Sequence, residues 1–266
     1  MTMITLSWWD VAVAALLVVV LAWLSLWQRL ALERQILIAA VRTVIQLALV
    51  GLVLKAIFDD ERLVWVVLMA GVMLSVAGYE TMARQKRRLQ GGWAYGIGTA
   101  SLFVSSFTVT LFALLLVVGN EPWYQPQYAI PLLGMMLGNT MNGVALSLDR
   151  LMSSVWQQRA VIEQRLMLGQ TWKEAMTELR HEAMRAGMIP TINAMAAVGV
   201  VSLPGMMTGQ ILSGTPPLEA VKYQMMIMFM VAAGAGFGAV VALQLGSRRL
   251  FDERQRLRLE RLRLVS

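Results

Sequence analysis

An all-α, polytopic bundle of about seven transmembrane helices is what this sequence predicts, on three observations. Of the 266 residues, 58% are hydrophobic and only 15% charged, too apolar a balance for an ordinary water-soluble domain. The apolar residues gather into long stretches, and about 18 or more in a row is the length that crosses a bilayer. The basic residues cluster in every second connection between those stretches, as they do in membrane proteins that alternate sides.

The seven expected spans are Ser7–Trp27, Gln35–Phe58, Leu63–Ala83, Trp93–Val118, Tyr128–Leu148, Ile189–Leu212 and Val221–Leu245. The first contains the run Leu16–Leu21; its N-terminal flank carries Asp10 and no Lys or Arg, and no small-residue cleavage site follows. It therefore reads as a retained helix rather than a signal peptide. The second places Arg42 and Gln46 four apart, on one helix face. Arg42 lies about 10 Å into its span at 1.5 Å per residue. It either lines a polar path between helices or snorkels to the boundary, and the sequence leaves these two readings level. The third ends in Glu80 and Arg84, spaced for a boundary ion pair. The fifth carries Asn139 and Asn142 on a shared face, and the sixth carries Asn193, Ser202 and Gln210 around Pro204. A proline inside a span frees a carbonyl that needs another partner. The seventh has Gly234-Ala-Gly-Phe-Gly238, a small face suited to close helix contact.

Charge orients the bundle. Arg29 and Arg34, then Arg84 to Arg88, then residues 150–188, and finally the tail at 247–266 hold most of the Lys and Arg. With seven spans these regions share one side, which the positive-inside rule makes the cytoplasm. The N-terminus is then outside and the C-terminus inside. The outer connections carry Asp59, Asp60, Glu61, Glu121 and Glu219. The formal charge of +7 thus reflects the inner face, where it suits anionic lipid headgroups. A nucleic-acid partner is not expected, because an inner excess of Lys and Arg is normal for such a protein.

Residues 150–188 form the long polar connection of a chain otherwise read as one membrane domain spanning 1–266. Gly169 interrupts a first helical run; Thr171 and Glu174 have capping-box spacing, so a second helix is expected near Trp172. Gly187 suits a C-terminal cap, with Pro190 shortly after. This broken amphipathic element either rests on lipid or docks a cytoplasmic partner. Glu163 and Gly169 match the ends of the Glu-Ala-Ala-x3-Gly loop of ABC importer permeases, with Gln164 and Arg165 in place of the alanines. His181-Glu182 is not a zinc-protease motif, since Arg185 stands where the second histidine belongs.

A pentapeptide occurs twice, as Gly134-Met135-Met136-Leu137-Gly138 and Gly205-Met206-Met207-Thr208-Gly209. On antiparallel spans the two fall at similar depth, in the outer halves. The glycine spacing reads first as a packing device, between these helices or across a dimer. The four methionines are either packing or soft contacts to a substrate. Arg42, Gln46, Met135, Met136, Asn139, Asn142, Met206, Met207 and Gln210 are the candidate pathway residues.

Several blocks together resemble the Fet-type ABC transporter permease, a bacterial iron-export family related to plant aluminium-tolerance transporters. They are Arg42-x3-Gln46-Leu47, Gly134-Met135-x2-Gly138-Asn139, Arg165-Leu166-x-Leu168-Gly169, Ser202-Leu203-Pro204-Gly205-Met206-Met207-x-Gly209 and Ala220-x-Lys222-Tyr223-Gln224-x4-Phe229-Met230. The resemblance covers nearly the whole chain. It implies a homodimeric permease in the bacterial inner membrane working with a separate ATPase; Glu163, Arg165, Leu166, Leu168 and Gly169, in the broken polar element, are the candidate coupling residues. ATP and Mg would sit on that partner, and no cofactor on this chain.

No G-x-x-x-x-G-K-[ST] phosphate loop is present, so ATP hydrolysis has to come from another chain. A different class, a self-sufficient transporter driven by an ion gradient, or a channel, remains as the alternative. Against it, no acidic residue lies centrally in any expected span. An intramembrane hydrolase lacks a nucleophile–base pair, with one histidine and no cysteine.

Overall fold

The computed structural model describes residues 7–60, 62–119 and 121–264. It is an all-α membrane bundle with one two-stranded ribbon. The chain divides into two compact units, 1–62 with 212–214, and 63–211 with 215–266.

The smaller unit is chiefly a helical hairpin, α1 (Trp8–Trp27) and α2 (Glu33–Asp59). Asp10 has a local task there: Ser7 and Asp10 form a capping box, with Trp9 N–H on Ser7 Oγ at 3.0 Å and Ser7 N–H on Asp10 at 2.8 Å. Ser25 ties the turn, donating to Glu33 at 3.3 Å and accepting from Leu32 N–H at 3.2 Å. The apolar window of α2 is not buried within the protomer. In a bilayer such a surface faces lipid or another subunit.

The larger unit is built on α6 (Pro126–Gln157), α9 (Thr177–Ala197) and α11 (Pro217–Arg249). Beside them lie α3 (Leu63–Ala83) and α4 (Trp93–Leu102), the latter prolonged by a π-helical turn Phe103–Phe107, a short α5 (Thr108–Phe112) and a second π-helical turn Ala113–Val118. Small residues let these helices approach. A Cβ on Gly238 of α11 would lie 2.6 Å from Thr140 Cγ2 and 2.9 Å from Ser105 Oγ, and one on Gly234 3.0 Å from Thr140 Oγ1. Leu102, Met136, Val144, Leu148, Leu151 and Met152 fill the core between them.

Among the described residues, six helical segments are long and apolar enough to cross a membrane: α1, α2, α3, Trp93–Val118, α6 and α11. The expected sixth span, Ile189–Leu212, is instead broken. Helix α9 stops at Ala197, residues 198–204 form an irregular loop with a Val198–Ser202 bridge, and α10 (Gly205–Leu212) restarts after it. Gly199 takes φ +84°, and Pro204 lacks an N–H and disfavours helix at Leu203. Helix cannot run through.

Two local expectations also give way to packing. Gly187 is no cap: α9 continues through Gly187 and Pro190 to Ala197. Gly187 sits against α6, where a Cβ would be 1.9 Å from Ser147 Oγ and 2.6 Å from the Gly143 carbonyl. The polar connection does not begin at residue 150 either, because α6 runs unbroken to Gln157. Arg150 there pairs with Glu182 of α9 at 3.1 Å.

The basic tail is folded. After α11, Phe251 bridges Leu257, and strand β2 (Leu262–Leu264) pairs antiparallel with β1 (Arg87–Leu89). Asp252 organises the turn, accepting from the backbone N–H of Arg254 and Arg256 and from the guanidinium groups of Arg256 and Arg258. The Arg256 N–H is the largest influence holding its carboxyl down at about 2; the two guanidinium groups add to it and partial burial opposes them.

Candidate translocation site

The helix break opens a cavity. About 300 Å³ is enclosed by Met135, Asn139, Asn142 and Gly143 of α6, Gly187, Pro190, Thr191 and Ala194 of α9, the Pro204–Met206 restart, and Gln224, Ile227, Met228 and Val231 of α11. Met135 and Asn139 lie roughly 13–20 Å along α6 from its first residue, near the middle of a bilayer core about 30 Å thick. Irregular backbone at such depth is tolerated where it lines a cavity. Pro190 adds to the polar character by leaving the Ala186 carbonyl without its helical donor.

The polar side chains of the lining are the amides of Asn139, Asn142 and Gln224 and the hydroxyl of Thr191. Arg84, in the turn after α3, reaches the Asn142 side-chain carbonyl, and Asn139 Nδ2 bonds back to the Met135 carbonyl at 2.8 Å. Gln224 is buried, and its Oε1 has no hydrogen-bond partner among the described residues. An unpaired amide oxygen out of water costs about 1–3 kcal/mol, so it is an acceptor awaiting a donor, a water or a cation. Thr140, Ser106 and Thr110 hydroxyls are likewise buried without a partner. Among the described residues no cluster of His, Cys, Asp and Glu could hold a metal ion. Any cation passing here would meet amide, carbonyl and thioether ligands.

The structure sorts the predicted pathway residues. Met135, Asn139, Asn142 and Met206 line this cavity. Met136 is wholly buried in the core, with its sulfur 3.8 Å from where a Gly234 Cβ would be. Met207 and Gln210 are half-buried on α10, outside the lining. Arg42 and Gln46 belong to α2 of the smaller unit, both exposed in the protomer. Gly205 and Met135 bring the two pentapeptides to one cavity, but not through glycine contact. A Cβ on Gly138, Gly205 or Gly209 would meet nothing within 4 Å, and one on Gly134 would meet only Met73.

The same α9 leads to the region expected to contact a cytoplasmic partner. Helix α7 (Arg159–Met167) ends in a Schellman turn: Gly169, at φ +88°, donates to the Leu166 carbonyl at 3.0 Å, and Gln170 to that of Arg165 at 3.1 Å. This turn holds Met167 and Leu168 outward, 79% and 83% exposed. Leu166 packs inward, Arg165 pairs with Glu178 of α9 at 2.7 Å, and Glu163 is exposed. The Thr171–Glu174 capping box starts the short α8 (Trp172–Ala175), and the Thr171 N–H holds the Glu174 carboxyl below its ordinary range. Trp172 stacks on Phe251 at 5.8 Å, and its backbone N–H donates to the Gln255 side-chain carbonyl at 3.0 Å. The C-terminal segment thus completes this surface.

The profile of the uncharacterised protein family UPF0014 matches residues 8–251. The chain belongs to that family. It is 38% identical to the "UPF0014 membrane protein slr1647" of Synechocystis over 258 residues, covering 96% of this chain and 98% of the relative. It is 35% identical to the "Probable iron export permease protein FetB" of Escherichia coli over 255 residues, covering 93% of each. It is 33% identical to "Protein ALUMINUM SENSITIVE 3" of Arabidopsis thaliana over 233 residues, covering 87% and 83%. No solved structure matches significantly. The resemblance noted in the sequence blocks and this family membership agree.

Sequence reasoning missed Gln224, Met228 and Thr191 as lining residues. Gln224 stood within the quoted Lys222-Tyr223-Gln224 block, but its burial arises only when α11 packs on α6 and α9. The C-terminal segment was missed as a structural part because its arginine density reads as solvated charge.

Proposed function

We propose that this chain is the permease subunit of an ATP-driven exporter of metal cations, acting as a homodimer in the bacterial inner membrane with a separate ATPase. The carrying observation is that one helix, α9, joins the exposed coupling turn to the mid-membrane cavity. Movement of a partner at Met167–Gly169 is passed through Arg165–Glu178 and Arg150–Glu182 to α9. From there it reaches the break at residues 198–204. The Arg150 and Arg165 pairs are partly solvent-exposed, so packing of Gly187 on α6 carries most of the mechanical link. The iron-export name of one relative supports a first-row metal cation as cargo. An amide and thioether lining binds such a cation weakly, as an exporter that must release its cargo requires. ATP and Mg belong to the partner, and no cofactor is held here. The orientation with the C-terminus cytoplasmic follows from the charge distribution.

A broken helix also occurs in gradient-driven carriers, so the decisive test concerns ATP. Copurification of an ATPase subunit, lost on Glu163→Lys while the permease stays in the membrane, is the expected result. Unimpaired ATPase binding and transport with Glu163→Lys, or with Gly169→Pro, would refute the coupling assignment.

A further inference from the structure

A second, larger cavity lies away from the amide-lined one. It occupies about 1260 Å³ between α4 and the segment following α11, above the roughly 300–1,000 Å³ of ordinary small-molecule clefts. Its two walls differ in kind. One is apolar and continues along the spans: Ile97 and Ala100 of α4 with Leu245 of α11. The other is basic, with Arg248, Arg249, Arg254, Arg256 and Arg261 against only Asp252 and Glu253. Gly92 and Gly96 keep the α4 side open, since a Cβ on either would meet nothing within 4 Å.

The arginines are not equivalent. Arg256 is committed to Asp252, and Arg261 to the carbonyls of Arg249 and Phe251. Arg249 lies over the ring of Trp93 at 4.2 Å. The side chains of Arg248 and Arg254 have neither carboxylate nor carbonyl partner among the described residues. Asp252 cannot serve them, because its oxygens already accept four bonds from other groups. Two exposed guanidinium forks, without a protein partner among the described residues, thus border a space with an apolar exit. Guanidinium forks match phosphate oxygens bidentately. Trp93, half-exposed at this level, is the residue type that marks a headgroup boundary.

We infer that this cavity binds the phosphate headgroup of an anionic phospholipid, held by Arg248 and Arg254, with its acyl chains along Ile97, Ala100 and Leu245. Basic pockets at the ends of membrane helices recognise such headgroups. A soluble phosphate shares the arginine chemistry but has no use for the apolar wall. Bound lipid would tie α4 to the segment that stacks on Trp172, and so brace the coupling surface. The inference does not rest on the transport reading.

Native mass spectrometry of the whole detergent-solubilised protein tests it, with phosphatidylglycerol, phosphatidylcholine and inorganic phosphate as probes. The first phosphatidylglycerol is expected to bind about tenfold or more tightly than phosphatidylcholine. Arg248→Gln with Arg254→Gln is expected to abolish that preference, while Arg180→Gln with Arg185→Gln, a charge-matched control, keeps it. Because the side chains of Arg248 and Arg254 have no protein partner among the described residues, the double variant should unfold at the wild-type temperature without lipid. Single Arg248→Gln, with a reduced preference, covers the case in which the double variant does not fold. Equal retention of the two lipids, an unchanged preference in the variants, or an equal loss in the control would overturn the proposal. So would displacement of phosphatidylglycerol by millimolar inorganic phosphate, which would mark a soluble-anion site.

Discussion

Replacing Gly187 by alanine probes the link between the proposed coupling surface and the cavity. The new Cβ would fall 1.9 Å from Ser147 Oγ and 2.6 Å from the Gly143 carbonyl. Ser147 can turn aside, but Gly143 O is backbone, so α6 and α9 must separate by roughly half an ångström or more. Overpacking of this kind costs about 1–3 kcal/mol. The helix-propensity gain of alanine over glycine, up to about 1 kcal/mol, offsets part of it. The expected net loss is about 1–2 kcal/mol. Gly138→Ala is the control: its Cβ meets nothing within 4 Å, so only the propensity gain remains. Reversible unfolding in mixed micelles by increasing SDS measures both. Adding Ser147→Gly to Gly187→Ala should restore only part of the loss, since the carbonyl clash persists. A neutral Gly187→Ala, or a Gly138→Ala equally destabilising in the monomeric protein, would refute the packing argument. If Gly138→Leu dissociates a dimer while leaving the protomer stable, its glycine acts between subunits.

Further outcomes follow from the same geometry. Gln224→Leu fills the cavity wall with carbon and removes its unpaired oxygen; assembly and basal ATPase of the complex should persist, with stimulation by Fe²⁺ reduced about tenfold or more, and retained stimulation would remove Gln224 from the path. Leu168→Asp should weaken ATPase binding by about 2 kcal/mol, on the scale of an interface hot spot, without altering the thermal stability of the permease alone; unchanged binding would place the partner elsewhere. The Asp252 carboxyl is depressed in the folded chain, so its contribution is fully present above about pH 4 and lost as pH falls through about 2. Asp252→Asn should reproduce that loosening at neutral pH, read as faster hydrogen exchange at Leu262–Leu264; unchanged exchange would show that Asp252 does not order the segment.

Much of the bundle was legible because bilayer length and apolar runs are local properties. Leu63–Ala83 was expected and found with the same bounds, α1 differs by one residue at its start only, and α2 by two residues at its start and one at its end. Helix α6 overran its apolar part to Gln157 because amphipathic residues such as Leu151, Met152 and Val155 still bury one face. The break in the sixth span had its signals, Gly199 and Pro204, but a proline inside an apolar run reads equally as a kink. Only the backbone shows that it ends the helix. Gly187 illustrates the reverse error: a local capping rule lost to a tertiary fit against Gly143 and Ser147. For the site, Asn139, Asn142, Met135 and Met206 were legible from spacing and shared depth. Gln224 was not, because a glutamine near a helix start looks like a solvated residue until neighbouring helices cover it.

ATP-driven export by this chain is measured by transport in proteoliposomes holding the permease with its copurified ATPase. With the ATPase sites facing out, ATP should drive Fe²⁺ into the vesicles. The permease alone should carry none under an imposed proton or sodium gradient. Gradient-driven flux through the permease without the ATPase, or an ATP-supplied pair that moves no metal cation, would contradict it.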